Sequence, residues 1–500
     1  MQLLIEPKAL LLLTKVSDLL VGQGIESYLV GGFVRDMLLN RDKADIDIAV
    51  ATDALGVAQR IATAIGGKYI RLDEANGIGR VVLADEGAPL ANRQWQLDFS
   101  AFKDNIEADL ARRDFTIDAM AVNLAGLGID VSLIDPFDGG KDLHQGIVRV
   151  VSATAFELDA IRLLRAVRLA AELGFSIDNE TEALIRRDSH LIDDVAGERV
   201  REEILRLLAV PQCGRFLAYL DELGLATVII PELAQLKGVK QPEEHFWDVF
   251  DHSIEMVGAV EFLLRQGVWE HANGEVLAVV PWSVVLNRYF GLEVSRGSTR
   301  LLLLKLTALL HDVAKPETKS IEEGGRMRFL GHAKVGAAIV AKILERLRFS
   351  GKEVKLVEAM VEYHLRPVQM SQGELPSRRA IYRYFRDTGE AGIDILFLSL
   401  ADHLATRGPR LNLTQWQRHA KMMEYVLEQY FERENLVVPP KMVDGHDLIN
   451  IFGMSPGPKI GEILETVLEA QAAGELTTRQ EALSYVRECL LTKVSGNKHA

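Results

Sequence analysis

"YLVGGFVRDMLLNRDKADIDIAV" (Tyr28–Val50) sets two short apolar runs either side of a glycine pair and an arginine. The second run carries Asp45 and Asp47, one residue apart. Side chains alternate along a strand, so both carboxylates face one side while Ile46 and Ile48 face the other. Two carboxylates on one face offer the hard oxygen ligands that Mg²⁺ takes. A metal pair held in this way activates a hydroxyl nucleophile and steadies a pyrophosphate leaving group. Gly31 and Gly32 let the backbone approach a triphosphate, and Arg35 supplies a forked donor to it. Asp98, in the strand-like "QLDFSAF", is the candidate third carboxylate.

Outward from this stretch, the first 151 residues mix strand-like runs ("SYLVGG", "IDIAV", "GRVVLA", "WQLDFSAF", "AMAVNL", "VRVV") with helical or turn-rich segments. After Ser152 the strand signal fades. "DAIRLLRAVRLAAELG" reads as an amphipathic helix stopped by Gly174, and "GERVREEILRLLAV" as another stopped at Pro211. Helix then follows helix to the end, with Glu270 to Thr299 reading as an insertion between two of them. Punctuation falls at "VPQCG", at "KGVKQPEEH" and near Pro439 and Pro440.

With 500 residues the chain exceeds what one core supports, which suggests roughly three or four domains. It is 48% hydrophobic and 26% charged, an ordinary globular composition. A net charge of -14 gives no bulk attraction to nucleic acid, so any RNA must be held by local basic faces. Two cysteines, Cys213 and Cys489, lie far apart, which fits a reducing compartment. The apolar runs near the N-terminus and at Leu301–Leu310 are short and interrupted by charge, the latter by Lys305. A soluble, cytoplasmic protein with no membrane partner is expected.

A second constellation lies further along: His252, the adjacent pair His311–Asp312, His332, His364 and Asp402. Imidazole and carboxylate are natural ligands of a divalent metal. His311 and Asp312 end an otherwise apolar run, where burying them unpaired is expensive and coordination would satisfy them.

Five motifs then carry a resemblance. "LVGGFVRDMLL…DIDIAV", "DLARRDFTIDAMAVNL" (Asp109–Leu124), "LIDPFDGGKDLHQGIVRVV" (Leu133–Val151), "LDAIRLLRAVRLAAELGF" (Leu158–Phe175) and "GERVREEI" (Gly197–Ile204) run in order. They resemble the class II tRNA nucleotidyltransferase and bacterial poly(A) polymerase family of the polymerase-β-like superfamily. The resemblance implies an α+β fold: a nucleotidyltransferase head with a mixed, mainly antiparallel sheet (1–151), a helical neck that selects nucleotide and binds RNA (152–240), and helical domains after it. It gives Asp45 and Asp47 the metal, Asp98 an assisting role and Arg113 a nucleotide contact. Asp159 and Arg162 would read the incoming base, since a carboxylate and a guanidinium can pair with the Watson–Crick edge of cytosine. Arg162, Arg165 and Arg168 recur every third residue and form one face for triphosphate and base.

The histidines and aspartates in the order H…HD…H…H…D resemble the HD superfamily of metal-dependent phosphohydrolases over residues 241–410. His252, His311, Asp312 and Asp402 match the single-metal set; His332 and His364 match the extra ligands of two-metal members. The metal and the substrate of this domain are not specified by the resemblance. Residues 411–500 resemble a helical tail that meets the tRNA's upper half. There Gly457, Lys459 and Gly461 open a helix whose N-terminus could receive a phosphate. "PSRRAIYRYFR" (Arg378, Arg379, Arg383, Arg386) offers either a phosphate-binding face or an ordinary solvated basic side.

Three departures stand out: Leu158 and Ala160 flank Asp159 where the family has Glu and Pro, Asp118 replaces Asn, and only "KDNIEA" joins Phe102 to Asp109. Family members that add only CC share the short connection, because a tight loop removes freedom to swap the pocket from CTP to ATP. The expected function is therefore addition of CMP to the tRNA 3′ end from CTP, with Mg²⁺. CC addition is the main reading, with complete CCA addition from CTP and ATP also open and a separate A-adding enzyme as a possible partner. The alternatives are a poly(A) polymerase of the same superfamily, or a phosphohydrolase or RNA-binding protein with an inactive head.

Overall fold

A computed structural model describes residues 6–41, 45–74, 77–84, 94–127, 132–370, 375–432 and 441–496. The boundary expected at Pro439 and Pro440 lies outside these residues. The chain packs as two compact units: Met1–Val195 with Tyr219–Ile229, and Ala196–Ala218 with Ile230–Ala500. The expected neck, 152–240, is thus divided between the two.

The first unit is built on a seven-stranded sheet. Its strands are β1 (Ser27–Val30), β2 (Asp45–Val50), β3 (Lys68–Asp73), β4 (Ile78–Ala84), β5 (Gln94–Ala101), β6 (Ala121–Asn123) and β7 (Leu133–Ile134), in the order β3-β4-β5-β2-β1-β6-β7. Only β2 and β5 pair in parallel; the other neighbours are antiparallel. This is the mixed, mainly antiparallel sheet the sequence implies. "VRVV" departs from expectation. Its Ile147–Val148 pairs with Ser176–Ile177 in a separate two-stranded ribbon.

Alternation separates the two faces of the sheet. Ile46, Ile48, Val81, Leu97 and Phe99 are fully or almost fully buried and share one face by register. The helix Ala54–Ile65 presents Val57, Ala58 and Ile61 to the core. A Cβ on Gly79 would come within 2.8 Å of Ala58 Cβ, so glycine is what permits this close approach of helix and strand. The opposite face carries Asp47, Asp98 and Arg80, aligned across β2, β5 and β4. The helix Pro7–Val21 starts with proline at its first turn and buries Ala9, Leu13, Val16 and Leu20, the spacing of one helical face.

The second unit is almost wholly helical, as the sequence predicts. Among the described residues two short ribbons are the exception: Glu293–Ser295 with Ser298–Thr299, and Lys319–Ile321 with Met327–Phe329. Its core contains the helices Val249–Leu263, Arg300–Leu310, Gly351–Tyr363 and Gly392–Arg407, each with many buried apolar residues. Lys305, the charge inside the leucine run, is 1% exposed. It donates to Glu261 Oε1 at 2.8 Å and to the Leu208 carbonyl at 2.7 Å. Burial of that ammonium is tolerable because both partners are present. Among the described residues no helix is long and apolar enough to cross a membrane.

Candidate functional site

The first site grows from the end of β1. Gly31 adopts φ +68° and precedes the helix Gly32–Leu38. A Cβ there would lie 2.6 Å from Arg113 Nη1 and 3.3 Å from Asp47 Oδ2. Glycine suits this turn on two counts, the positive φ of its backbone and the room its missing side chain leaves for Arg113 and Asp47. Asp45 is exposed and Asp47 half-buried, while Ile46 and Ile48 between and after them are buried, so the paired-carboxylate geometry is as expected. Asp98 lies directly opposite Asp47 in the parallel β2–β5 register.

Asp98 also has a partner that sequence reading missed. Arg80, its register neighbour on β4, donates Nε to Asp98 Oδ1 at 2.7 Å and Nη2 to Oδ2 at 2.6 Å. Nothing local in the sequence marks this pair, since it exists only through strand register. Carboxylate oxygens beside a glycine that leaves room at Asp47 suit a hard divalent cation. Asp45 and Asp47 would hold it.

Two arginines expected at the phosphates are placed elsewhere. Arg35 is 3% exposed. Its Nε and Nη2 bind Asp36 at 2.9 and 3.2 Å, and its Nη1 binds Asp118 at 2.6 Å. Arg35 is thus corrected from phosphate donor to a buried tie between the glycine turn and the turn Thr116–Asp118. The departure at Asp118 supplies its counter-charge. Arg168 is likewise buried and pairs with Glu172 at 2.6 Å, one turn along its own helix, so it is corrected out of the open basic face. The drift of a three-residue repeat on a 3.6-residue helix carries it inward.

Arg162 and Arg165 do face the second motif. Arg162 Nη2 donates to the Arg112 carbonyl at 2.8 Å, and its Nη1 reaches the carbonyls of Arg113 and Ala155 at 3.4 and 3.3 Å. Arg165 Nε pairs with buried Asp114 Oδ2 at 3.0 Å. Burial pushes the Asp114 carboxyl up, but Arg165 and Arg162 outweigh it and hold it below the usual range. Arg113 pairs with Asp109 at 3.4 Å. Asp159 is half-buried and ends the short helix Ala155–Leu158 in extended backbone; the Arg162 N–H donates to its carbonyl at 3.1 Å. Leu158 beside it is 66% exposed.

The second site lies in the second unit. His252, His311, Asp312, His332 and His364 are all buried. Their ligand atoms form two groups that share Asp312: His252–His311–Asp312 and Asp312–His332–His364. His311, His332 and His364 each turn Nδ1 to the carbonyl three residues earlier, at 2.9, 2.7 and 2.6 Å. That fixes the tautomer and aims Nε2 at the cluster, the usual support for a metal-binding imidazole. His332 Nε2 stands 3.4 Å from Asp312 Oδ1, His311 Nε2 3.0 Å from Asp312 Oδ2, and His252 Nε2 3.3 Å from Asp402 Oδ1. The structure therefore brings all six expected ligands together, and imidazole with carboxylate suits a divalent transition metal.

Burial and neighbouring His311 push His364 down to about 3. Burial opposes ionisation of Asp312, but His311 and Lys315 outweigh it and hold the carboxyl well below its usual range. Two further residues join the cavity, which measures about 870 Å³. Lys315 Nζ lies 2.6 Å from Asp312 Oδ2, and the His245 ring packs edge-on to His252 at 5.7 Å. Lys315 follows Asp312 by three residues, across the turn between the helices Arg300–Leu310 and Lys315–Thr318, whereas His245 comes from a distant stretch of chain.

The basic helix Arg378–Thr388 has neither of its expected roles. Arg379 pairs with Glu475, Arg383 with Glu469 and Arg386 with Glu465, at 2.9, 2.6 and 2.7 Å. These acids lie on or just after the helix Pro458–Ala473, so this basic side is neither free for phosphate nor simply solvated. The latter helix is opened by Gly457, with Lys459 and Gly461 in its first turn.

Three family models match the chain. They are the poly A polymerase head domain over residues 27–149, the probable RNA and SrmB-binding site of polymerase A over 174–237, and the HD domain over 276–407. An A-adding tRNA nucleotidyltransferase of Deinococcus radiodurans is 34% identical over 92% of this chain and 94% of its own length. The chain belongs to the tRNA nucleotidyltransferase family. A second member, the CC-adding tRNA nucleotidyltransferase of Thermus thermophilus, is 31% identical over 92% of this chain and 93% of its own. Among solved structures of the family fold, a CCA-adding enzyme complexed with CTP superposes with a TM-score of 0.63, at 20% identity over 97% of this chain and 96% of that one. The HD match begins after His252, yet the fold returns that residue to the cluster.

Proposed function

We propose that this member of the family is a tRNA 3′-end nucleotidyltransferase that adds CMP from CTP, stopping after CC. The observation that supports transfer is the turn where Gly31, Arg113 and Asp47 meet, with Asp98 opposite. Asp45 and Asp47 would hold Mg²⁺, which when bound polarises the α-phosphate and steadies the departing pyrophosphate. Arg113 contacts the nucleotide. Asp159 and Arg162 select the base, and Asp114 positions Arg165 behind them. Carboxylate and guanidinium at fixed spacing let protein side chains take the part of a template.

The restriction to CC rests on the connection after β5. Asp104 turns it at φ +64° and Asn105 caps the helix Ile106–Leu110, accepting from the Ala108 N–H at 2.8 Å. Such a capped turn leaves little slack for switching to ATP. The partners of this reading are the tRNA 3′ end, CTP and a separate A-adding enzyme, in the cytoplasm. The histidine cavity is read as a phosphohydrolase site for a divalent ion of unassigned identity.

The test is product length. A tRNA lacking its last three nucleotides is incubated with Mg²⁺ and CTP, ATP or both. A stop after two added residues is expected. Three added residues would overturn the restriction and make this a complete CCA-adding enzyme, and a long ladder from ATP alone would make it a poly(A) polymerase.

A further inference from the structure

A second cavity, of about 590 Å³, lies in the second unit and is lined by none of the metal-cluster residues. Its size falls in the usual range of small-molecule sites, about 300–1,000 Å³. The wall forms where three helices begin. Arg300 starts Arg300–Leu310, Lys352 and Lys355 lie in the first two turns of Gly351–Tyr363, and Ala391 immediately precedes Gly392–Arg407. The same helices run on to the histidine cluster: His311 follows the first, His364 follows the second, and Asp402 lies well along the third. At about 1.5 Å per residue, Arg300–Leu310 spans roughly 16 Å. The cavity is therefore at the far end of these helices from the cluster and is not a subsite of it.

Arg300 is the buried cation of this wall, 9% exposed. One nitrogen carries all its bonds. Nη1 donates to the Asp394 carboxylate, to the Tyr289 hydroxyl oxygen at 2.6 Å and to the Glu390 carbonyl at 3.2 Å. Tyr289 donates in turn to Asp394 at 2.5 Å. Nε and Nη2, the side-on fork of the guanidinium, have no partner among the described residues. Buried donors left unmet are costly, and a fork held fast at its third nitrogen is pre-organised for an acceptor with two oxygens. Lys352 and Lys355 are exposed, and neither pairs with a described residue. Two acids also border the cavity. Glu293 accepts from the Gly297 N–H at 2.9 Å, and Glu390 has an exposed side chain and gives its carbonyl to Arg300. Leu292, Val294 and Leu356 make one side apolar.

An unmet guanidinium fork beside two unpaired lysines calls for an anion, and the starts of three helices add partial charge of the same sign. A carboxylate would fill the fork alone. Two further point charges favour the second negative charge of a phosphate, and the apolar side suits an organic body attached to it. We propose that this cavity binds a small organic phosphate monoester, its phosphate on Arg300 between Lys352 and Lys355 and its body against Leu292 and Leu356. The site stands apart from both the transferase head and the histidine cavity, and does not depend on the activity assigned to either.

Phenylphosphonate, as its dianion, is the probe, because its C–P bond resists hydrolysis. The full chain is titrated by calorimetry with a chelator present, and hydrogen exchange locates the bound probe. Saturable binding with a Kd of about 0.1–1 mM is expected. At saturation, amide exchange should slow at least about threefold at the starts of Gly351–Tyr363 and Gly392–Arg407. Lys352→Gln combined with Lys355→Gln should weaken binding at least about tenfold and leave the urea midpoint in place, since both side chains are exposed and unpaired. Arg300→Lys keeps the charge but loses the fork, and should weaken binding about tenfold as well. Benzoate, with the same ring and a single charge, should bind at least about fivefold more weakly. The proposal is overturned by no saturable binding below about 10 mM, or by a double-lysine variant that binds within about twofold of the parent. Protection confined to the head or to the histidine cavity would overturn it too. Equal binding of benzoate would overturn the assignment to a phosphate.

Discussion

Asp118 and Arg35 meet where there is almost no water: each side chain is 4% exposed. Asp118→Ala removes one of the two acids that neutralise a guanidinium in the interior. Breaking a buried pair costs about 3–5 kcal/mol, and Asp36 remains, so a loss of about 3 kcal/mol in unfolding free energy is expected. Asp118→Asn keeps an acceptor for Nη1 and should cost roughly half as much or less. Urea denaturation followed by Trp95, in the same unit, measures both. A cost below about 1 kcal/mol for the alanine variant would mean that Asp36 alone satisfies Arg35. This residue also shows what sequence reading can reach. Asp45 and Asp47 were legible because a strand has period two, and the two apolar neighbours fix which way the acids point. Arg35 was misread because an arginine after a glycine pair looks the same whether its fork points at a ligand or at an acid 83 residues away. Arg80 was unreadable for the same reason, its partner lying 18 residues on and across a sheet.

At the level of elements, local pattern succeeded where burial is one-sided and failed where it is not. β1, β2 and β5 carry clear apolar alternation or runs and were read. β3, "KYIRLD", has no fully buried position, and β7 is two residues long, so neither offers a hydrophobic signature. The helix Arg378–Thr388 was legible as basic, but its acidic partners follow 79 to 96 residues later, beyond any window of local reading. The pairs it makes are half-exposed and charged, and each is worth only about 0.2–1 kcal/mol. The helix Pro458–Ala473 also belongs to a small apolar cluster that includes Leu448, Val467 and Val486, so apolar packing and charge both hold it. If the charges matter, raising NaCl from about 0.05 to 0.5 M should screen them and speed amide hydrogen exchange in Pro458–Ala473 about fivefold, the equivalent of about 1 kcal/mol. Glu469→Gln should produce a similar rise at low salt, since Glu469 serves both Arg383 and Arg386. Exchange that ignores salt would assign the helix to its apolar contacts alone.

Histidine is distributed unevenly over the whole molecule, and the two units should therefore respond differently to acid. Of twelve histidines, only His144 and His190 fall in the first unit. In the second, burial lowers His364 and His403 to about 3 and His245 to about 4. A histidine with a depressed folded pKa contributes stability that is complete above its unfolded value, near 6.5, and is lost as pH falls through that value toward the folded one. Each such group loses about 1.4 kcal/mol per pH unit inside that window. His311 works the other way: burial opposes its charging, but Asp312 outweighs burial and raises it, so its contribution grows as pH falls toward 6.5 and is complete below that. Below 6.5 His311 is protonated in both states and offsets nothing further, so the three depressed groups leave a net loss of about 4 kcal/mol per pH unit. In the presence of a chelator, which removes linkage to metal, the urea midpoint of the second unit should drop steeply between pH 6.5 and 5. That of the first unit should move little. Trp95 reports the first unit, and a Trp95→Phe variant leaves only Trp247, Trp269, Trp282 and Trp416 to report the second. Midpoints that fall together would show that the two units unfold as one. A flat second-unit midpoint would show that these imidazoles can take up protons without unfolding, and the closed metal-binding cluster would then have to open in acid.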